Sequence, residues 1–279
     1  MKTAKVSGFV ALFMLLTIIT QIGGLVLLVT MPLFRYVTPR LKKKNRLING
    51  LIKSSLFLLL YLASTFIVVP IIAKPLGRIP LPIFSNNSVK PLNIMTCILN
   101  RHYVTPDLYR SLEQISIGFN SKYSESTIAY LDANFPFINN YPLLPHLSHN
   151  DGKKLDIALF YYEKETKIAL NKAAPSPIGY GVYEMPKMGE INQPFECEKQ
   201  GYWQYSILQN FVPQNNNENF VFDKERTAYL MSLIIKEANI QKIFIEPHLK
   251  QRMNIDNDKV RFHGCQAVRH DDHIHIQLN

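Results

Sequence analysis

Eight histidines occur in this 279-residue chain, and five of them crowd into two short windows. The first window is Pro145-His146-Leu147-Ser148-His149-Asn150-Asp151-Gly152-Lys153-Lys154-Leu155-Asp156. The second is His270-Asp271-Asp272-His273-Ile274-His275. Imidazole together with carboxylate is the ligand set that Zn²⁺ takes when it keeps a position open for water. The Asn-Asp-Gly turn after His149 can fold that ring back toward Asp156 in the following strand. If 273–278 is a strand, alternation puts His273, His275 and Gln277 on one face and Ile274, Ile276 and Leu278 on the core face. A lone His-x-His pair is weak as a motif, and a lone Asp is more often a turn residue. Two windows that each combine His with Asp, one of them on a strictly alternating strand, predict a metal site.

These residues need a scaffold to bring them together. Thr105 can cap a helix over 106–118, Pro106 suits its first position, and Leu108, Leu112, Ile115 and Phe119 share a face. A second helix is expected after Asp223, with Leu230, Leu233 and Ile234 as its buried stripe. Strands are expected at 127–133, 155–162, 241–245, 259–262 and 273–278. The Asn-rich segment 214–219 reads as a solvated loop, and 175–186, with Tyr180 and Tyr183, as a cleft wall or a packed turn. Glu246-Pro247-His248 reads as structural. The mixture gives an α+β domain over 92–279, a mostly antiparallel sheet with flanking helices. Residues 75–91, with Pro75, Pro80, Pro82 and Pro91 around Asn86 and Asn87, read as a linker.

Residues 1–74 differ in kind. They hold ten of the 31 Lys and Arg residues and none of the 21 Asp and Glu. The remainder is therefore balanced, which leaves no basic footprint for nucleic acid. The runs 6–34 and 54–73 carry no charge, and each is long enough to cross a bilayer as a helix. The chain is expected to begin with a membrane anchor of two transmembrane helices. A cleaved signal peptide fits poorly, because the first run is too long and no small-x-small site follows it. The loop 35–53 holds Arg35, Arg40, Lys42, Lys43, Lys44, Arg46 and Lys53, against Lys2 and Lys5 before the first run. The positive-inside bias puts that loop in the cytoplasm. Two single-helix spans would then leave both ends of the chain, including the domain, outside. That is the periplasmic or extracytoplasmic side of the cytoplasmic membrane.

The two histidine windows resemble those of the peptidoglycan zinc metallopeptidases. That superfamily includes lysostaphin-type enzymes, D-Ala-D-Ala peptidases and the hedgehog domain. Its signature is His, six residues, Asp, then a distant His-x-His, matched here by His149, Asp156 and His273-Ile274-His275. The penicillin-insensitive murein endopeptidases add a His three residues before each part, matched by His146 and His270. The resemblance covers roughly 145–160 and 260–278. It implies Zn²⁺ ligands at His149, Asp156 and His275, catalytic roles for His273 and His270, and a pocket role for His146. Three protein ligands leave one position for water, and with no His-Glu-x-x-His glutamate, His273 is the first candidate for the base and His270 the next. Serine-type chemistry lacks its Ser-x-x-Lys and Gly-x-Ser-x-Gly motifs. Of Cys97, Cys197 and Cys265, two can form a disulfide outside the cell, and the spacing does not say which. The expected function is a membrane-anchored zinc peptidase hydrolysing D-amino-acid amide bonds of peptidoglycan peptides, as a cross-link endopeptidase. The alternatives are a D-Ala-D-Ala carboxypeptidase and a non-catalytic peptidoglycan-binding or regulatory module with a structural metal.

Overall fold

The computed structural model describes residues 2–41, 45–84 and 88–279. Lys42, Lys43 and Lys44 of the basic loop, and Asn86 and Asn87 of the expected linker, lie outside the described residues.

The uncharged run 6–34 is not one helix but two, α1 (Lys2–Thr20) and α2 (Gly23–Val37). Gln21 breaks the run with φ 65°, and the Thr20 hydroxyl accepts from Gly23 N–H at 2.8 Å. The reason for the fold-back lies in the glycine pair. A Cβ at Gly24 would stand 2.8 Å from the Phe13 ring, and one at Gly23 would stand 2.9 Å from Leu16 Cβ. Only bare backbone lets α2 return so closely along α1. The second run, 54–73, is continuously helical. Helix α3 (Arg46–Ala63) continues through a π turn at Ser64–Val68, α4 (Val69–Ala73) and a final 3-10 turn. The π turn precedes Pro70, which has no N–H to offer, and Val69 N–H reaches back five residues to Ser64 O. Among the described residues, Arg46–Leu76 is the one helix long and apolar enough to cross a membrane, at 31 residues.

Residues 75–279 form a mixed α/β unit. Its strands are β1 (Ile79–Pro80), β2 (Val89–Pro91), β3 (Tyr103–Val104), β4 (Ile128–Tyr130) and β5 (Lys154–Ala158), then β6 (Tyr161–Glu163), β7 (Phe220–Phe222), β8 (Ile240–Phe244), β9 (Val260–Arg261) and β10 (His273–Leu278). Its helices are α5 (Met95–Ile98), α6 (Pro106–Lys122), α7 (Gln193–Lys199), α8 (Lys224–Lys236) and α9 (Pro247–Arg252). The main sheet has six strands in the order β2-β4-β5-β10-β8-β9. Its three inner pairings are antiparallel and its two outer ones parallel. The expected strand 155–162 is divided between β5 in this sheet and β6, which pairs with β7 in a separate ribbon.

The caps are those the sequence predicts. Thr105 Oγ1 accepts from Leu108 N–H, and Asp223 Oδ1 accepts from Arg226 N–H at 3.0 Å. Leu108, Leu112, Ile115 and Phe119 of α6 join Leu230, Met231 and Ile234 of α8 over Ile274 and Ile276 of β10, all buried in one core. That core covers one face of the sheet. The alternation of β10 sends His273 and His275 to the other face.

The segment 75–91 is not a free tether. β1 pairs with β3, and β2 pairs with β4, so both ends of it are fixed to the domain. The domain also rests directly on the N-terminal helices. Ile22, Val26, Tyr61, Val69 and Ala73 form one buried cluster with Tyr103. Tyr61 OH donates to Ile98 O at 2.6 Å, and Phe137 N–H donates to Gln21 Oε1 at 2.9 Å.

Candidate metal centre

The site is assembled by strand register. In the β5–β10 pairing, His275 stands directly opposite Asp156, and His273 opposite Ala158. Asp156 and His275 therefore project side by side from the open face of the sheet. The turn before β5 supplies the third group. Asp151 Oδ1 accepts from Lys153 N–H at 2.9 Å, and Gly152 takes φ 82°, a left-handed conformation that favours glycine. A tight turn in which His149 N–H donates to His146 O at 3.0 Å brings both of those rings over the strand.

Three ligand-type atoms converge. His149 Nε2 is 3.2 Å from Asp156 Oδ1 and 3.1 Å from His275 Nδ1, and His275 Nδ1 is 2.8 Å from Asp156 Oδ1. All three residues are buried, at 2% exposure or less. Tetrahedral coordination with ligand bonds of about 2.0–2.2 Å spaces its donors by about 3.3–3.6 Å, a little wider than these edges. The tautomer of His149 is fixed, because its Nδ1 donates to Ala133 O at 2.7 Å. In the neutral ring that leaves Nε2 as a bare lone pair, aimed at a carboxylate and a second imidazole. Such a cluster of buried lone pairs fits a shared cation. His146, His149 and Asp156 also offer one atom each within 4.8 Å of one another, a buried group that can hold a metal ion. His146 Nδ1, however, is 3.2 Å from Asp132 Oδ2 and 3.5 Å from Asp156 Oδ2. It is already shared between two carboxylates.

The surrounding charges fit a cation too. Burial alone would raise the Asp156 carboxyl, yet the neighbouring His149 and His273 hold its pKa well below the usual carboxylate range. Burial pushes His275 down to about 4. For His273 burial acts downward, but Asp156 and Asp272 outweigh it and lift its pKa to about 9. A divalent cation beside it would lower that value again. His273 leans its Nδ1 on Asp272 Oδ1, and its Nε2 lies 3.7 Å from Asp156 Oδ1. Asp272 is itself held, accepting from Gly181 N–H at 2.6 Å. The His270 ring lies 4.7 Å from the His273 ring, and burial keeps its pKa well below the ordinary value. All five histidines of the two windows line one cleft of roughly 380 Å³, together with Asp156.

Several residues of this site are not legible as motifs. Asp132 accepts from Arg101 at 3.2 Å and faces His146, linking β4's end to the cleft. Tyr180 OH donates to Asp156 Oδ2 at 2.8 Å and accepts from Asp132 N–H at 3.0 Å, so the 175–186 segment is a wall of the site. His263 also lines the cleft. Glu246 fixes the second window, pairing backbone to backbone with His270 and accepting from His270 N–H at 3.2 Å through its carboxylate. His248 is structural, as the sequence suggests, donating Nε2–H to Glu184 O at 2.7 Å.

Cys197 and Cys265 form a disulfide, and Cys97 is free and buried. The bond ties α7 to the loop that supplies Gln266, Ala267 and Val268 to the cleft wall. Burial pushes the Cys97 thiol up to about 11, which makes it inert in the folded chain. Denatured without reductant, the chain should bind iodoacetamide at Cys97 alone, and at all three cysteines once reduced. Labelling of Cys265 without reductant would disprove the bond. A Cys265→Ser variant should lose about 2–4 kcal/mol of stability in a melting experiment.

No family model matches the chain, and no curated protein matches it.

Proposed function

We propose that the chain is a membrane-anchored zinc peptidase of the cell wall, hydrolysing a D-alanyl amide of peptidoglycan peptides. The observation that carries this reading is the convergence of His149 Nε2, Asp156 Oδ1 and His275 Nδ1, with edges of 2.8 to 3.2 Å, beside the oriented His273. His149, Asp156 and His275 would hold the ion. Zn²⁺ at such a site polarises an amide carbonyl and makes water nucleophilic near neutral pH. The residues of the chain do the rest. Asp272 fixes the His273 ring so that Nε2 faces the cleft, where it takes a proton from water and returns it to the leaving amine. His270 stands next to it as a second proton carrier. Tyr180 and Asp132 hold Asp156 and His146 in place. The resemblance of the five histidines to those of murein endopeptidases supplies the substrate class.

The test is digestion of purified peptidoglycan by the full chain in detergent, with products identified by mass spectrometry. Release of monomers from D-alanyl cross-linked dimers, lost with a chelator and restored by Zn²⁺, is the expected outcome. Release of terminal D-Ala alone would make the enzyme a carboxypeptidase. Absence of any product would leave the non-catalytic reading.

The anchor reading changes with the fold-back of α1 and α2. Arg46–Leu76 is the crossing helix, and α1 with α2 forms a hairpin that enters and leaves the bilayer on one side. Lys2 and Lys5 then share a side with the 35–53 loop, so nine of the ten basic residues of 1–74 lie together. The positive-inside bias assigns that side to the cytoplasm and residues 75–279 to the extracytoplasmic face of the cytoplasmic membrane. A reporter active only outside the cytoplasm should work when fused after Asn279 and fail when fused before Met1 or inserted near Lys43. Activity of the fusion before Met1 would restore the arrangement with a single span over 6–34.

A further inference from the structure

The crossing helix does not end where the domain begins. Its uncharged run extends over 54–73, yet the domain first touches it at Tyr61 and Thr65, through Ile98 O and the Asn100 side chain. From Thr65 to Leu76 the helix rises roughly 16 Å. Along that length one face, Thr65, Val69 and Ala73, is buried. The rest of its surface carries Ile67, Val68, Ile71, Ile72 and Leu76, all exposed, with Ile71 at 69%. It continues the apolar surface of the part that crosses the bilayer. About 20 residues are needed to cross the hydrocarbon, and 54–73 supplies that number only if the stretch beside the domain lies inside it.

The hairpin gives the same depth independently. Its turn is buried, with Gln21 at 5% and Ile22 at 4% exposure, and the domain completes its backbone. Asn100 Nδ2 donates to Thr20 O at 3.3 Å, and Tyr141 OH donates to Thr17 O at 2.7 Å, one helical turn further down α1. Irregular backbone survives at membrane depth only where protein satisfies it. Tyr141, with Phe137 N–H on Gln21 Oε1, belongs to a loop that runs on to His146 and His149. It exposes Ile138 at 57%, Leu144 at 54% and Leu147 at 57%, and Leu147 lines the cleft.

We infer that the domain is seated in the outer leaflet, with the 137–147 loop in contact with lipid, and that the cleft prefers D-alanyl peptides carried on a membrane-embedded lipid to the same peptides in the distant wall polymer. This rests on the peptidase reading above. The occupant of the apolar face is the bilayer itself, because the face is continuous with the crossing helix. A lipid-borne peptide reaches the cleft by lateral diffusion, at a height set by the anchor.

Two measurements on the full chain in liposomes test this. A nitroxide on an Ile138→Cys variant should be more accessible to oxygen than to a water-soluble nickel chelate. The reverse order would overturn the seating. In the same vesicles, one D-alanyl peptide is offered free and joined to a dialkyl chain. The anchored form should show a KM about tenfold lower or more, as expected when a shared surface raises effective concentration. Ile138→Asp and Leu144→Asp should abolish most of that advantage while kcat/KM for the free peptide stays unchanged. Equal use of both peptides would overturn the substrate assignment alone, and an advantage that survives both substitutions would overturn the part given to the 137–147 loop. Failure to cleave either peptide would overturn the peptidase reading and the substrate assignment together, and the nitroxide would still decide the seating.

Discussion

Replacing His275 by alanine should empty the site of zinc and abolish hydrolysis. Its Nδ1 is one corner of the triangle with His149 Nε2 and Asp156 Oδ1, at 3.1 and 2.8 Å. Losing a group that merely orients a metal ligand costs about 10–100-fold in affinity, and losing a ligand costs more. The backbone should tolerate the change, since β10 keeps its pairing on both sides and its core residues Ile274 and Ile276. Metal content by mass spectrometry and peptide release, on one preparation, check this. His146→Ala is the discriminating control, because His146 belongs to the other buried group that can hold an ion with His149 and Asp156. It should keep close to one zinc per chain. If His146→Ala is zinc-poor and His275→Ala is not, the ion sits with His146 and the ligand set is wrong.

Much of this arrangement was legible because local rules and global fold agree. The alternation in 273–278 told which side chains share a face, and the register of β10 against β5 puts His275 opposite Asp156, as a common site requires. The caps at Thr105 and Asp223, and the apolar faces of α6 and α8, follow from short-range spacing. What resisted was long-range. Nothing near Asp132 in sequence announces that it faces His146, nor does Tyr180 announce its bond to Asp156, because each gains its partner only when distant loops meet. The uncharged run 6–34 misled for a different reason. Charge and hydropathy are unchanged across its middle, and the break depends on two glycines whose lack of Cβ matters only once α2 lies against Phe13 and Leu16. Residues 75–91 differ for a similar reason: proline-rich composition suggests a partly extended linker, and two- and three-residue strands tie it to the domain at 79–80 and 89–91.

The His273→Ala variant separates ligand from catalyst inside the His-x-His pair. Two strand steps put the two Cα atoms about 6.6 Å apart on one face, so alternation alone would let both rings reach one ion. Their partners differ. His275 turns Nδ1 into the triangle, while His273 turns Nδ1 away onto Asp272 and stands 3.7 Å from Asp156 through Nε2. An imidazole braced by a carboxylate, with its far nitrogen facing the cleft, can exchange a proton with a group bound there. His273→Ala should therefore retain close to one zinc per chain while turnover falls by about 10²–10⁴-fold, the scale of a general acid–base group. Asp272→Asn should lie between, since it loosens the ring without removing it. Zinc content and peptide release, measured side by side with His275→Ala, decide the matter. A His273→Ala protein as zinc-poor as His275→Ala would make the first histidine a ligand. Full activity would move the proton transfer to His270, whose ring is 4.7 Å away and whose burial keeps it neutral.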